Sequence, residues 1–467
     1  MAWRSAAARE TMLVRAMEIT NALVQQVVML RDYVPKTVVE TMLGQADKGF
    51  SDLLESDASN DTLKEKYGLM LLEFSRHYNA LGLAAKQRDR ANRAYRTFTA
   101  LHERDRRSSR YRRGLAAALT EMGNAEIVLG NLASAEQQFD RAQQLLLDGI
   151  ASVAVRSPNS APSQALGRQK LVISGFGSNI GATRSVGPRP LPEGLTDELY
   201  NRWGAAKVSI RSGDVAFEQG NFQSAIQHFN EASSAIASMM QSYGRNLTPE
   251  ADVGMAYDLR VTQIRIGDVY RESVMSAPAA EVYDKALQLF SALRERQSGN
   301  KDYERMEAVT YARRGLVWRQ DRDYEKSKDD LRRAIAAYEG LLVADRANSG
   351  WKRDLQVTLG NLGETLLTAG EVVEAKAAFL RSEMLAMEII RLDETNKVWR
   401  NDLAIASIQV GLAALRLGDA DEARNRFQGA RSELQRLVQS DPLNEIWRLE
   451  LESLEGLAAT MPEKRSS

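Results

Sequence analysis

The stretch WKRDLQVTLGNLGETLLTAGEVVEAKAAFLRS, residues 351–382, decides the fold. Gly363 is followed twelve residues later by Ala375, sixteen later by Phe379 and nineteen later by Ser382. The last three differ by four and three, the spacings that place side chains on one stripe of one helix. Between them stands Gly370-Glu371, a glycine that ends one helix and a polar residue that opens the next. The stretch therefore reads as two antiparallel helices, with Gly363 on the first facing small residues on the second. A helical glycine costs about 1 kcal/mol against alanine, so close packing must offset it. In this reading the small residues let the helices approach, and the large one fills the groove between neighbouring hairpins.

The pattern repeats. Gly267, Gly315, Gly363 and Gly411 are evenly spaced, and Gly82, Gly123 and Gly213 fit the same template off that period. Twelve residues after each comes Ala94, Ala135, Ala225, Ala279, Ser327, Ala375 or Ala423. Sixteen after comes Phe98, Phe139, Phe229, Tyr283, Leu331, Phe379 or Phe427. Nineteen after, the residue is small in six of seven cases, with Leu101 the exception. The turn is Gly130, Gly220, Gly370 or Gly418 followed by a polar residue, Arg322-Asp323 in the fifth unit, and Met275-Ser276-Ala277-Pro278 in the fourth. Tyr303, Trp351, Trp399 and Trp447 open first helices with the same period, and Asp258, Asp354 and Asp402 share one register. A fixed period of this kind is the mark of a repeat architecture.

The Gly, small, aromatic, small pattern resembles the tetratricopeptide repeat over roughly residues 61–442. That resemblance implies an all-α, right-handed superhelical solenoid of antiparallel helix pairs. Here the step from one template glycine to the next is longer than in that family, so both helices are lengthened. The long units, with Trp351-Lys-Arg-Asp-Leu355 and Trp399-Arg-Asn-Asp-Leu403, also look like the carboxy-terminal arrays of bacterial signalling proteins that carry a TIR or caspase-like effector. No effector domain is visible, so the chain resembles the repeat part alone.

Composition narrows the function classes. Lys+Arg and Asp+Glu are both 62, which argues against a general polyanion binder. With no cysteine, thiol catalysis, disulfides and thiolate metal sites are excluded. No run of 18 uncharged apolar residues occurs, so no membrane span is expected and the chain reads as cytoplasmic.

Along the chain, residues 1–60 read as an amino-terminal helical hairpin. Residues 3–33 carry Leu13, Met17, Leu23, Val24, Val27, Val28 and Leu30 at helical spacing, and Glu10 and Glu18 favour a structural helix over a targeting peptide. Pro35 restarts the chain. Repeats one and two occupy 61–155, and 156–194 is an insertion with five of the ten prolines. Repeats three to seven fill 195–442, and 443–467 is a capping helix and tail.

No catalytic residues, cofactor site or metal site emerges. Gly175-Phe176-Gly177-Ser178-Asn179-Ile180-Gly181 follows Leu171-Val172-Ile173, but its third glycine comes one residue late for a dinucleotide loop. His77, His102 and His228 have no metal spacing. The basic segment 85–113 includes Arg104, Arg106, Arg107, Arg110, Arg112 and Arg113 and reads first as a solvated face, then as a site for an acidic protein, and last as a nucleic-acid site. What remains is the surface that repeats create. Carried over by offset from the family, the face lined by first helices comprises Arg76, Asn79, Lys86, Asn124, Lys207, Asp214, Asp268, Arg271, Glu272, Arg319 and Glu364, turning apolar at Val357, Ile405, Ile408 and Leu412. The expected function is a scaffold or sensor that binds a protein or peptide partner there, without catalysis of its own. The alternative is the sensor part or regulatory subunit of a protease or TIR-type effector.

Overall fold

A computed structural model describes residues 36–56, 59–80, 83–129, 131–154, 195–296, 299, 301–346, 348–392, 394, 396–440 and 445–459. The expectations for 3–33, for the 156–194 insertion with its glycine loop, and for the tail from 463 lie outside the described residues. Every extended element among those described is helical. In chain order these are α1 (Lys36–Ser56), α2 (Asp61–Ala80), α3 (Ala84–Arg104), α4 (Ser109–Val128), α5 (Leu132–Ala154), α6 (Asp197–Glu218), α7 (Phe222–Tyr243) and α8 (Pro249–Glu272). They continue with α9 (Ser276–Arg296), α10 (Lys301–Gln320), α11 (Tyr324–Ala344), α12 (Ser349–Ala369), α13 (Val372–Ile390), α14 (Lys397–Arg416), α15 (Ala420–Ser440) and α16 (Glu445–Ala459). From α2 to α15 they fall in sequence into seven helix–turn–helix pairs, and within each unit the strongest contacts join sequence neighbours, such as α2 with α3, α4 with α5 and α10 with α11. Two compact units result. One holds the described residues from Lys36 to Val269, the other those from Tyr270 onward. Within the first, α5 packs on α6, so the stack continues across 155–194.

Local chemistry sets the ends of each pair. First helices open on a side-chain cap three residues before a large apolar residue. Ser108, Thr196, Asn348 and Asn396 accept from the amides of Tyr111, Leu199, Trp351 and Trp399. The turn then reverses the chain with one left-handed residue seven positions after the template glycine. It is Gly220 (φ 71°), Gly370 (89°) or Gly418 (85°), and also Val274 (56°) and Arg322 (60°). The following amide closes onto the carbonyl five residues earlier in each turn: Asn221 to Ala216, Met275 to Tyr270, Asp323 to Trp318, Glu371 to Leu366 and Asp419 to Ala414, all at 2.8–2.9 Å.

The glycine does more than admit a neighbouring backbone. A Cβ built on Gly123, Gly213, Gly363 or Gly411 would lie 2.4–2.6 Å from the ring of Phe139, Phe229, Phe379 or Phe427, the residue sixteen later. This corrects the expectation that the large residue fills the groove between hairpins. It lies on the glycine of its own pair.

The first pair is also re-registered. Gly82 lies outside the described residues and α2 already ends at Ala80, so the template position belongs to Ser75, with Gln87, Ala91 and Ala94 at the later offsets, all buried. The error is seven residues, two helical turns, which leaves the same stripe inward and so escapes a periodicity argument. Phe98 instead occupies a position the sequence reading missed, 23 after the template residue, and it packs on Gly68 and Gly114. The same position is buried in every pair: Phe98, Leu146, Ile236, Phe290, Tyr338, Ala386 and Leu434. Burying the larger of these side chains, such as Phe98, Leu146 and Ile236, contributes about 1.5–3 kcal/mol each.

Candidate functional site: the first-helix stripe

Within each unit, first helices of successive pairs touch, and polar residues on their shared stripe meet at recurring sequence separations. In the unit from Tyr270 onward, Arg305 Nε donates to Asp354 Oδ2 at 2.7 Å and Arg353 Nε to Asp402 Oδ2 at 2.5 Å, each spanning 49 residues. Further along the same helices Arg319 reaches Glu364 at 2.5 Å, and Gln409 Nε2 donates to Glu364 at 2.8 Å. Asp354 and Asp402, which share a register in the sequence, are the acceptors of these rungs.

In the unit up to Val269 the contacts form an oblique file of alternating charge across four helices. Arg76 on α2 bonds Glu121 on α4 at 3.0 Å, and Lys207 on α6 pairs with Asp258 on α8 at 3.2 Å. Asp258 also accepts from Trp203 Nε1 at 2.8 Å. One step along, Asp214 takes Arg211 and Arg265, both at 3.0 Å. Burial lowers the Lys207 ammonium below the usual lysine range, and the nearby Arg76 and Arg211 charges add to this, although Asp258 opposes it. For Arg76, burial is outweighed by Glu121 and Glu73, which hold its guanidinium above the usual range. Arg76 nevertheless keeps 30 % of its side chain open. Tyr200 sits beside it, its hydroxyl raised by burial, with the Arg113 guanidinium 4.6 Å from its ring centroid.

The residues expected on this face divide into three groups. Arg76, Asn79, Asn124, Lys207, Asp214, Arg319 and Glu364 lie on first helices and are partly open. Asp268 and Arg271 are 4 % and 8 % exposed, so they are packing residues, with Arg271 and Glu272 paired to each other. Lys86 is corrected outright. The seven-residue shift puts it on α3, a second helix, where it reaches Glu40 at 2.6 Å. Sequence reasoning missed Glu121, Trp203, Asp258 and Tyr200 as parts of the stripe. Only the shared register of the aspartates hinted at it. At the apolar end, Ile408 and Leu412 pack with Trp447 and Leu454 of α16, so the capping helix seals that end. Asn79 and Tyr200 are partly open, whereas the Asn124 carbonyl oxygen is buried without a hydrogen-bond partner.

The basic segment is largely neutralised. Arg90 and Arg93 share Asp47 at 2.9 and 2.7 Å, Arg104 meets Asp61 at 2.6 Å, and Arg110 meets Glu65 at 3.6 Å. Arg88 faces Glu126, and Arg113 faces Asp197. Arg96, Arg106 and Arg107 stay exposed without an acidic partner, while Arg112 is engaged. Most of the segment's arginines are thus engaged by carboxylates rather than left for a phosphate backbone. Among the described residues no group of three or more His, Asp or Glu is placed to hold a metal ion, and no helix is long and apolar enough to cross a membrane.

Set against known proteins, the chain matches no family model and no curated sequence. The folds it is similar to are tetratricopeptide-type arrays. Apo RapI superposes with a TM-score of 0.49 at 12 % identity, covering 96 % of this chain and 100 % of its own. A Rap protein complexed with Competence and Sporulation Factor gives 0.45 at 13 %, covering 96 % and 99 %. A signal transduction ATPase with a tetratricopeptide repeat sensor, from Pyrococcus horikoshii, gives 0.45 at 12 %, covering 92 % of this chain and 50 % of that one. These likenesses concern the fold. The class rests on the helices themselves: an all-α array of tetratricopeptide-like helix pairs.

Proposed function

We propose that this protein is a cytoplasmic binding module, without catalysis of its own, that holds an extended protein or peptide segment along the first-helix stripe of residues 61–269. One observation carries the reading. The file Arg76, Glu121, Lys207, Asp258 crosses four helices with alternating charge, its cations remain 30 % and 12 % open, and the partly open polar groups of Asn79 and Tyr200 flank it. A surface with partly open donors and acceptors suits a main chain, which presents both at every residue. The ion pairs fix the positions of these groups, so little ordering cost falls on the binder. A photo-crosslinking residue at Asn79 or Tyr200 should capture the partner, while one at exposed Gln137 on α5 should not. The purified partner should then bind the Tyr200→Phe, Asn79→Ala double variant about tenfold more weakly, with unchanged helicity. Equal affinity would remove the stripe from the account.

The sequence resemblance of Trp351–Leu355 and Trp399–Leu403 to sensor arrays of TIR or caspase-like proteins supports a narrower reading, in which binding is relayed to an effector enzyme. That reading expects the crosslinked complex to include a hydrolase or nucleotide-cleaving chain.

A further inference from the structure

The rungs between first helices recur at equal intervals, with donors at 305, 353 and 401 and acceptors at 354, 402 and 450. In the first two the donor is arginine. In the third it is Asn401, whose Nδ2 reaches Glu450 Oε1 only at 3.5 Å. Asn401 is 8 % exposed, and both Asn401 Oδ1 and Glu450 Oε2 are buried without a hydrogen-bond partner. A neutral amide stands in place of the cation at the rung between α14 and α16.

No neighbouring charge makes up the difference. On α14, Asp402 adds a second negative charge and is held by Arg353, Arg400 reaches Glu433 at 2.6 Å, and Lys397 reaches the Ser440 carbonyl. On α15, Arg431 is taken by Glu455. On α16 itself, Arg448 and Glu452 are exposed. Burial is the chief influence on the Glu450 carboxyl, with Asp402 adding to it and the Asn401 bond opposing; together they push it up to about 7. Meanwhile α16 covers apolar surface. Trp447 and Leu454 are buried with Ala404, Ala414 and Phe427, and Ile408, Leu412 and Leu415 pack against that cluster.

We infer that α16 is a proton-controlled latch: it seals the apolar end of the first-helix stripe while Glu450 is protonated and releases as Glu450 ionises, uncovering Ile408, Leu412 and Leu415. The inference does not depend on what the stripe binds. Its direction follows from linkage. A carboxyl whose docked pKa lies above its free value of about 4.5 favours docking fully below that value. The advantage is lost as pH rises toward 7, at about tenfold in the opening equilibrium per pH unit. Above 7 both states are ionised and the equilibrium levels off.

The test is hydrogen-exchange protection of residues 445–459, corrected for intrinsic rates, from pH 5 to 8.5, with residues 349–369 as the internal reference. In the full chain, protection of 445–459 should fall at least thirtyfold between pH 5 and 7 and then flatten, while the reference stays level. Glu450→Gln should abolish the slope and keep α16 docked. Asn401→Arg should complete the rung and hold α16 docked at pH 8. A flat wild-type profile, or a slope that survives in Glu450→Gln, would overturn the inference. Should either variant fold poorly, the side-chain carbon shift of Glu450 in the wild type decides. A midpoint near 7 agrees with the latch, and one below 5 refutes it.

Discussion

Gly363→Ala tests the packing rule on which the array is built. The added Cβ would lie 2.4 and 2.5 Å from two ring carbons of Phe379, well inside van der Waals contact, and the ring is fully buried. Overpacking of this kind costs about 1–3 kcal/mol. Alanine returns about 1 kcal/mol of helix propensity, so the net loss should be about 1 kcal/mol. The chain contains its own control. At Gly315 the nearest atoms to a Cβ are Leu331 Cγ at 3.0 Å and the Ser327 carbonyl oxygen at 3.3 Å, so a small displacement suffices. Gly315→Ala should therefore be neutral or stabilising by up to about 1 kcal/mol. Phe379→Leu reproduces the Gly315 environment in the Gly363 pair, and in a double-mutant cycle it should recover about 1 kcal/mol of the Gly363→Ala loss. Stability varies along a repeat array, so the readout is native-state hydrogen exchange over residues 349–390 rather than one global melt. Equal costs at the two glycines, or an additive cycle, would show that the ring-on-glycine contact does not set the spacing.

The remaining predictions concern the turns, the rungs and the basic segment. Val274→Gly and Arg322→Gly should each stabilise locally by about 1 kcal/mol, because both residues hold left-handed backbone that suits glycine; an unchanged or lower midpoint in urea would contradict this. Asp402→Asn strips the partly buried Arg353 of its partner and should cost about 1–3 kcal/mol, whereas breaking the exposed Arg436–Glu433 pair should cost under about 0.5 kcal/mol. Comparable losses at the two sites would mean that the rungs do not stitch the pairs. The segment 85–113 should show no submicromolar, salt-sensitive affinity for RNA or DNA. Such binding, lost on neutralising Arg106 and Arg107, would reverse that assignment.

Much of the fold was legible because packing repeats. The glycine, the small residue and the large apolar one, aromatic in all but Leu331, are read six times from Gly123 onward, and each reading reinforces the next. The first pair failed because a seven-residue slip keeps the same face inward, and Ser75 with Ala91 offers no glycine or aromatic to fix the register. The position occupied by Phe98, Leu146 and Ala386 went unnoticed because its chemistry varies while its burial does not. The stripe was legible only in outline. Offset arithmetic named Arg76, Lys207 and Asp214, but pairing joins helices that stand a whole unit apart along the chain, and a single sequence does not reveal which acid meets which base. The equal totals of acids and bases now have a structural counterpart, since much of the charge is spent between neighbouring pairs.

Recognition by the stripe is read most directly from the affinity of the crosslinked partner for chains altered on either side of the same helix pairs. With Tyr200→Phe and Asn79→Ala on the stripe, affinity should fall about tenfold while helicity and the hydrogen-exchange pattern stay unchanged. With Gln137→Ala and Asp140→Ala on the exposed side of α5, it should not move. Loss of affinity from the α5 changes, with the stripe variant binding normally, would place recognition on the second helices and contradict the account.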